Sequence, residues 1–149
     1  MDTGHPDYYW LLKPDFGGYI EAKWVKDRFP FSRIKENQRE WLNGWPESSW
    51  FWLWMGDDVR GAGGSLRRRA WLIPWPDWLE VEAHAQQHDL VSLPYDREQA
   101  HFVAEREHGL SAVELLARHE LEWAGNGRWS FPAAHPFRIR YGAFFRPVE

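Results

Sequence analysis

The chain has 149 residues, a formal net charge of −4 and no cysteine. That length suits one domain with a buried core and is short for two, and the missing thiols exclude disulfides and thiolate-held metals. No apolar run reaches membrane-spanning length and the first residues are polar, so the expectation is a soluble, cytoplasmic protein without a transmembrane helix or signal peptide.

The charge is unevenly spread. Residues 1–75 carry 11 Lys/Arg against 10 Asp/Glu, and residues 76–149 carry 7 against 12. The basic side chains of the first part gather as Lys23, Lys26, Arg28, Arg33, Lys35 and Arg39, and again as Arg67, Arg68 and Arg69. Such a patch guides a phosphate backbone even on an acidic protein, although a solvated face is the alternative for each group. The chain also holds 12 tryptophans, ten of them in the first 78 residues. Large aromatics in apolar, strand-like runs are expected to fill a small core, with a surface for stacking unpaired bases or docking a partner as the second reading.

In chain order, Asp7 to Lys13 has the aromatic and aliphatic density of a strand, and Pro14 to Gly18 reads as a turn. Tyr19 to Trp24 is then a second strand, antiparallel to the first. A loop over residues 25–32 leads to Ser32 as N-cap of a helix from about Arg33 to Asn43, stopped by Gly44 and Pro46. Ser49 to Met55 and Arg69 to Trp75 are strands flanking a glycine-rich loop. The expected fold class is α/β: a small mixed four-stranded sheet with flanking helices. Beyond residue 75 a mainly helical C-terminal extension is expected, packed on the core of residues 1–75. Its elements would be a helix over Asp77 to Gln87 and an extended piece to Tyr95. Helices opened by capping boxes at Asp96-Arg97-Glu98-Gln99 and Ser111-Ala112-Val113-Glu114 would run to about Glu107 and Ala124, and Phe137 to Tyr141 would form a last strand.

Chemistry concentrates in the first hairpin. Glu21 and Lys23 are two apart on a strand and share a face. Cross-strand partners in a regular hairpin have a constant index sum. A five-residue Pro14–Gly18 loop makes that sum even and brings Asp7 to the same face. Two carboxylates and a lysine so placed suit a hard divalent cation beside a phosphodiester, with the lysine stabilising the phosphate or orienting the attacking water. Asp15 is a rival acid, but a turn role accounts for it.

The ordered set Gly4-His5-Pro6-Asp7, hairpin, Glu21-Ala22-Lys23 and helical Gln38 resembles the PD-(D/E)XK nuclease superfamily, and in detail its VRR-NUC and phage Holliday-junction-resolvase-like members. The resemblance spans roughly residues 4 to 75. It implies a restriction-endonuclease-like core, Mg²⁺ or Mn²⁺ on Asp7 and Glu21, a catalytic Lys23, and Gln38 supporting the site. It further implies DNA as partner, with branched or structure-specific DNA as substrate; from the basic clusters, Lys26, Arg28, Arg33, Lys35, Arg67, Arg68 and Arg69 are the expected contacts. The family usually places a helix ahead of the Pro-Asp strand, and three residues precede Gly4 here. That helix is either supplied by the C-terminal half or another subunit of a homodimer or complex, or it is absent. The alternative function is a catalytically inactive module of the same fold that binds DNA or a protein.

Other constellations are weaker. His84 and His88 have the i, i+4 spacing of zinc ligands and could bind zinc with Glu80 or Asp89, but no third histidine falls in step, so surface histidines are expected. The remaining late histidines have no usable spacing, and His5 beside Asp7 is a minor candidate for a DNA or metal contact.

Overall fold

The computed structural model describes residues 7–13, 16–56, 69–96, 101–103, 114, 116–125 and 128–141. The first strands are β1 (Tyr8–Lys13), β2 (Phe16–Val25) and β3 (Arg28–Pro30). After a 3₁₀ turn at Phe31–Arg33 come helix α1 (Glu36–Gly44), a second 3₁₀ turn at Pro46–Ser48, and strands β4 (Ser49–Met55) and β5 (Arg69–Pro74). Helix α2 (Trp75–Gln87) follows, then β6 (Ser92–Asp96), β7 (His101–Phe102), β8 (Glu122–Gly125), β9 (Arg128–Ser130) and a short helix α3 (Pro136–Tyr141). The class is mixed α/β.

Four strands pair in the order β1-β2-β4-β5. Antiparallel β1 and β2 form a hairpin; α1 then carries the chain back so that β4 lies parallel to β2, and β5 returns antiparallel to β4. Alternation splits the strands' side chains between two cores. Val25, Phe51, Leu53, Met55, Trp71 and Ile73 face the layer made by α1, α2 and the β3-β6-β7 sheet. Trp50, Ala70 and Leu72 face the opposite side, where Leu121 and Phe137 cover them and Trp52, Trp54 and Trp129 pack partly buried. A sheet buried on both faces explains why β4, Ser-Trp-Phe-Trp-Leu-Trp-Met, is apolar almost throughout instead of alternating. Most of the described tryptophans therefore serve the cores, and only Trp24 and Trp45 are exposed.

The two halves of the chain share one core. Trp75, Trp78, Val81, Ala85, Leu93, Tyr95 and Phe102 lie in the same cluster as Val25 and Phe51. The residues expected to be a loop before α1 instead contain β3, whose partner is β6, with Phe29 opposite Leu93. Phe31 N–H bonds Val91 O at 3.0 Å and Tyr95 N–H bonds Asp27 O at 2.8 Å, extending the join on both sides.

Several expected elements differ. Helix α1 starts at Glu36, because Phe31–Arg33 forms a 3₁₀ turn that buries Phe31 and Ile34, and Gln38 Oε1 then accepts the Lys35 N–H at 2.9 Å. Asp96 closes β6, and His101 and Phe102 pair back onto Asp96 and Tyr95, so a hairpin replaces the start of the first expected capping-box helix. Burial of Phe102 against Trp71 and Tyr95 outweighs the local helix signal. The next expected helix yields at Arg118–His119 to a turn, and Glu122–Gly125 is a strand paired with Arg128–Ser130. The C-terminal extension is thus of mixed structure among its described residues. The expected strand at Phe137 is instead α3, which seats Phe137 edge-on against Trp50 at 4.9 Å. The Pro14-Asp15 turn, the 57–68 loop and residues 97–100 and 104–113 lie outside the described residues.

Helix α2 starts two residues earlier than expected, with Pro76 in its first turn where no N–H is needed. It ends in a Schellman turn. Asp89 adopts a left-handed φ of 56°, its N–H reaching Gln86 O while Leu90 N–H reaches Ala85 O. A charged clamp ties α2 to α1. Arg39 donates to the buried Glu82 carboxylate at 2.7 and 2.6 Å and to the carbonyls of Phe31 and Ile34, while Trp78 Nε1 completes Glu82 Oε1 at 3.0 Å. Arg39 in the basic cluster is therefore a structural residue. Removing one partner strands a charge away from water, so Arg39→Met is expected to lower stability by about 3 kcal/mol, and adding Glu82→Leu to recover most of it, by urea unfolding.

A glycine is required at one place in the sheet. A Cβ at Gly18 would overlap the Ser48 carbonyl oxygen, where the Pro46–Ser48 turn presses onto the start of β2. Gly18→Ala is expected to cost roughly 2–3 kcal/mol in the same unfolding assay, whereas Gly44→Ala, with nothing within 4 Å, should cost none.

Candidate active site

The β1–β2 register decides where Asp7 falls. Tyr8 pairs with Ile20, Tyr9 with Tyr19, Trp10 with Gly18 and Leu11 with Gly17, but Lys13 pairs with Phe16. The connection is therefore the two residues Pro14 and Asp15, not the five expected, and β2 begins three residues earlier. A two-residue loop alone would give an odd sum and send Asp7 to the wrong face. The β-bulge between Leu11 and Lys13 adds one residue to β1 and restores the even sum. Extending that register puts Asp7 opposite Glu21. The Asp7 carboxylate folds back over the end of the ladder and accepts the Ala22 N–H at 3.0 Å.

Glu21 is fully buried, beside Phe51 in the parallel register. Lys23 Nζ lies 3.1 Å from its Oε1. That contact is an ion pair without hydrogen-bond alignment, and neither carboxylate oxygen has a hydrogen-bond partner among the described residues. Burial is the main force pushing the Glu21 carboxyl up to about 7, against the pull of Lys23, and the nearby Asp7 adds to the rise. Asp7, Glu21 and Lys23 thus converge on one face, under the layer that carries α1.

Such a carboxylate is costly unless something completes it. Carboxylate oxygens are the donor type a hard divalent cation takes, and one bound here would have Asp7 and Glu21 as its protein ligands. Among the described residues no cluster of three His, Cys, Asp or Glu side chains forms, and Asp7 and Glu21 are the two acids that the β1–β2 register brings together on this face.

Helix α1 lies over the same face. Trp41 meets Tyr19 edge-on at 5.4 Å, and Tyr19 shares its side of β2 with Glu21 and Lys23. Gln38 is one turn before Trp41 and buried, but its Oε1 is occupied by the Lys35 N–H, which gives it a helix-capping role. Lys26, Arg28, Arg33 and Lys35 are exposed and cluster between the end of β2 and the start of α1. Arg28 also donates to Ser92 Oγ at 2.7 Å. Arg69 differs from the expectation. Its guanidinium makes a two-pronged ion pair with Glu120 and lies 5.1 Å over the Trp71 ring, so it serves the join between β5 and residue 120. Arg67, Arg68, His5 and Asp15 lie outside the described residues.

Two histidines without a readable spacing are core residues. His119 pairs through Nε2 with Asp77 at 3.0 Å, and burial holds its pKa down near 4. His135 Nε2 faces the carbonyls of Leu72 and His119, and its Nδ1 accepts the Phe137 N–H. His84 lies half-buried on α2 and His88 is exposed just past its end, with no metal-binding cluster around them among the described residues. The sequence reading did not single out Tyr19 and Trp45, which border the site; the two-residue step from Tyr19 to Glu21 was the available signal. No family model, curated protein or solved structure matches the chain.

Because the folded chain holds the Glu21 proton more tightly than the unfolded chain, stability falls as pH rises from the ordinary value of 4.5 to about 7, and levels off above. Between pH 4 and pH 8 the wild type is expected to lose about 3 kcal/mol more than Glu21→Gln in urea unfolding. Parallel curves for the two proteins would show that Glu21 does not carry this shift.

Proposed function

We propose that the chain is a metal-dependent nuclease that hydrolyses DNA phosphodiester bonds, with a restriction-endonuclease-like core of PD-(D/E)XK type. The observation that carries this reading is the convergence of Asp7, Glu21 and Lys23 around a buried carboxylate with no aligned hydrogen bond. Asp7 and Glu21 would hold Mg²⁺ or Mn²⁺, which when bound neutralises phosphoryl charge and makes a bound water more acidic. Lys23 projects beside them and offers its N–H groups to a phosphate oxygen or to the incoming water, turning from Glu21 to do so. Gln38 acts at a distance, holding the first turn of α1 above the site. Lys26, Arg28, Arg33 and Lys35 give the Lys23 end of the site a positive rim along which a phosphate backbone runs. Branched or structure-specific DNA is the substrate class this reading favours.

A second reading, a non-catalytic module of the same fold that binds DNA or a protein partner, draws support from Lys23 resting on Glu21. One assay separates them. Linear, nicked, single-stranded and four-way-junction DNA are incubated with purified protein and Mg²⁺, Mn²⁺ or EDTA, beside Asp7→Asn and Lys23→Ala. Metal-dependent cutting, reduced at least about 100-fold in both variants, is expected. Binding that persists with no cutting under any metal would establish the module instead.

A further inference from the structure

The aromatic border of the site points to how the substrate strand is held. Trp45 closes the C-terminal end of α1 and is 55% exposed, the most open of the described tryptophans. Its ring leans on Tyr19 at 6.2 Å with a tilt of 57°, and Tyr19 is in turn held edge-on by Trp41. Tyr19 lies two residues before Glu21 on the same face of β2, a step of about 7 Å, which is close to the reach of one nucleotide in an extended strand. The Pro46–Ser48 turn seated over Gly18 fixes the chain immediately after Trp45. Its ring is open to solvent, whereas the core tryptophans Trp50, Trp71, Trp75 and Trp78 are closed off.

The site therefore has two dissimilar ends. Beyond Lys23 lie exposed cations suited to phosphates; beyond Tyr19 lies a supported aromatic face suited to a base. A base paired within a duplex has its faces stacked on neighbouring pairs and cannot lie on a protein ring. We propose that Trp45, backed by Tyr19, stacks an unpaired base next to the phosphate held at Asp7, Glu21 and Lys23, so that the bound DNA is single-stranded at that position. This deepens the nuclease reading and rests on it for the position of the phosphate, but the stacking itself is measurable without cutting.

The test uses the whole chain in EDTA, with fluorescence anisotropy of a labelled oligothymidylate, a blunt duplex of the same length, and an abasic strand of the same length and charge. Wild-type protein is expected to bind the thymidylate about ten-fold more tightly than the abasic strand. Trp45→Ala should lose that preference and Trp45→Phe retain most of it. Trp24→Phe, on the other face of β2, should behave as wild type. Equal binding of thymidylate and abasic strands by the wild type would overturn the proposal, as would a Trp45→Ala variant, folded by circular dichroism, that keeps the preference. Loss of stacking with cutting intact would remove the platform and leave the nuclease reading standing. Stacking without cutting would do the reverse.

Discussion

A single extra residue in β1 decides on which side of the sheet the Asp7 charge falls. Side chains alternate along a strand, so a one-residue slip moves every group to the opposite face. The bulge between Leu11 and Lys13 compensates for a connection of only two residues and delivers Asp7 to the Glu21 side. The carboxylate then has a structural use, completing the Ala22 N–H where the ladder runs out. Without the bulge, Glu21 and Lys23 would be a buried acid and its counter-ion, with no second carboxylate near them.

The pairing of β2 with β4 sets the rest. A parallel neighbour requires a crossover, and the crossover is α1, so the helix necessarily covers one face of the sheet. That face carries Tyr19, Glu21 and Lys23. The same layer must also be filled, and it is filled with aromatic volume from α2 and β6: Trp75, Trp78 and Tyr95. The Arg39–Glu82 clamp and the Trp75 Nε1 bond to Asn43 at 2.7 Å lock α1 to α2. The acid at Glu21 is dry because this packing is dense, and its raised proton affinity follows directly from the dryness.

Much of this was legible from residues alone where the signal was local and strong. Two-residue spacing placed Glu21 with Lys23, and apolar density marked β4 and β5. Hairpin parity reached the correct face for Asp7 through an error in loop length that the bulge cancelled. Three of the failures share one cause: long-range contacts overrode local preference. Arg28–Pro30 resembles a loop until Leu93 is beside Phe29. Asp96-Arg97-Glu98-Gln99 looks like a helix start, yet Phe102 earns a place in the core by folding back as a strand. The role of Arg69 depended on Glu120, fifty-one residues away, which no window could show.

The β3–β6 join bears on how this protein can be divided. Six-tenths of the way along the sequence, Ser92–Asp96 supplies the hydrogen-bonding partner for a segment that directly precedes the helix over Glu21. A fragment ending near residue 75 would keep Asp7, Glu21 and Lys23 in its sequence but expose the edge of β3 and the bare side of Phe29 and Phe51. Such an edge recruits other chains. The half that contains Asp7, Glu21 and Lys23 is accordingly not a portable cassette, and transplanting or trimming it would yield aggregate in place of a smaller folded unit.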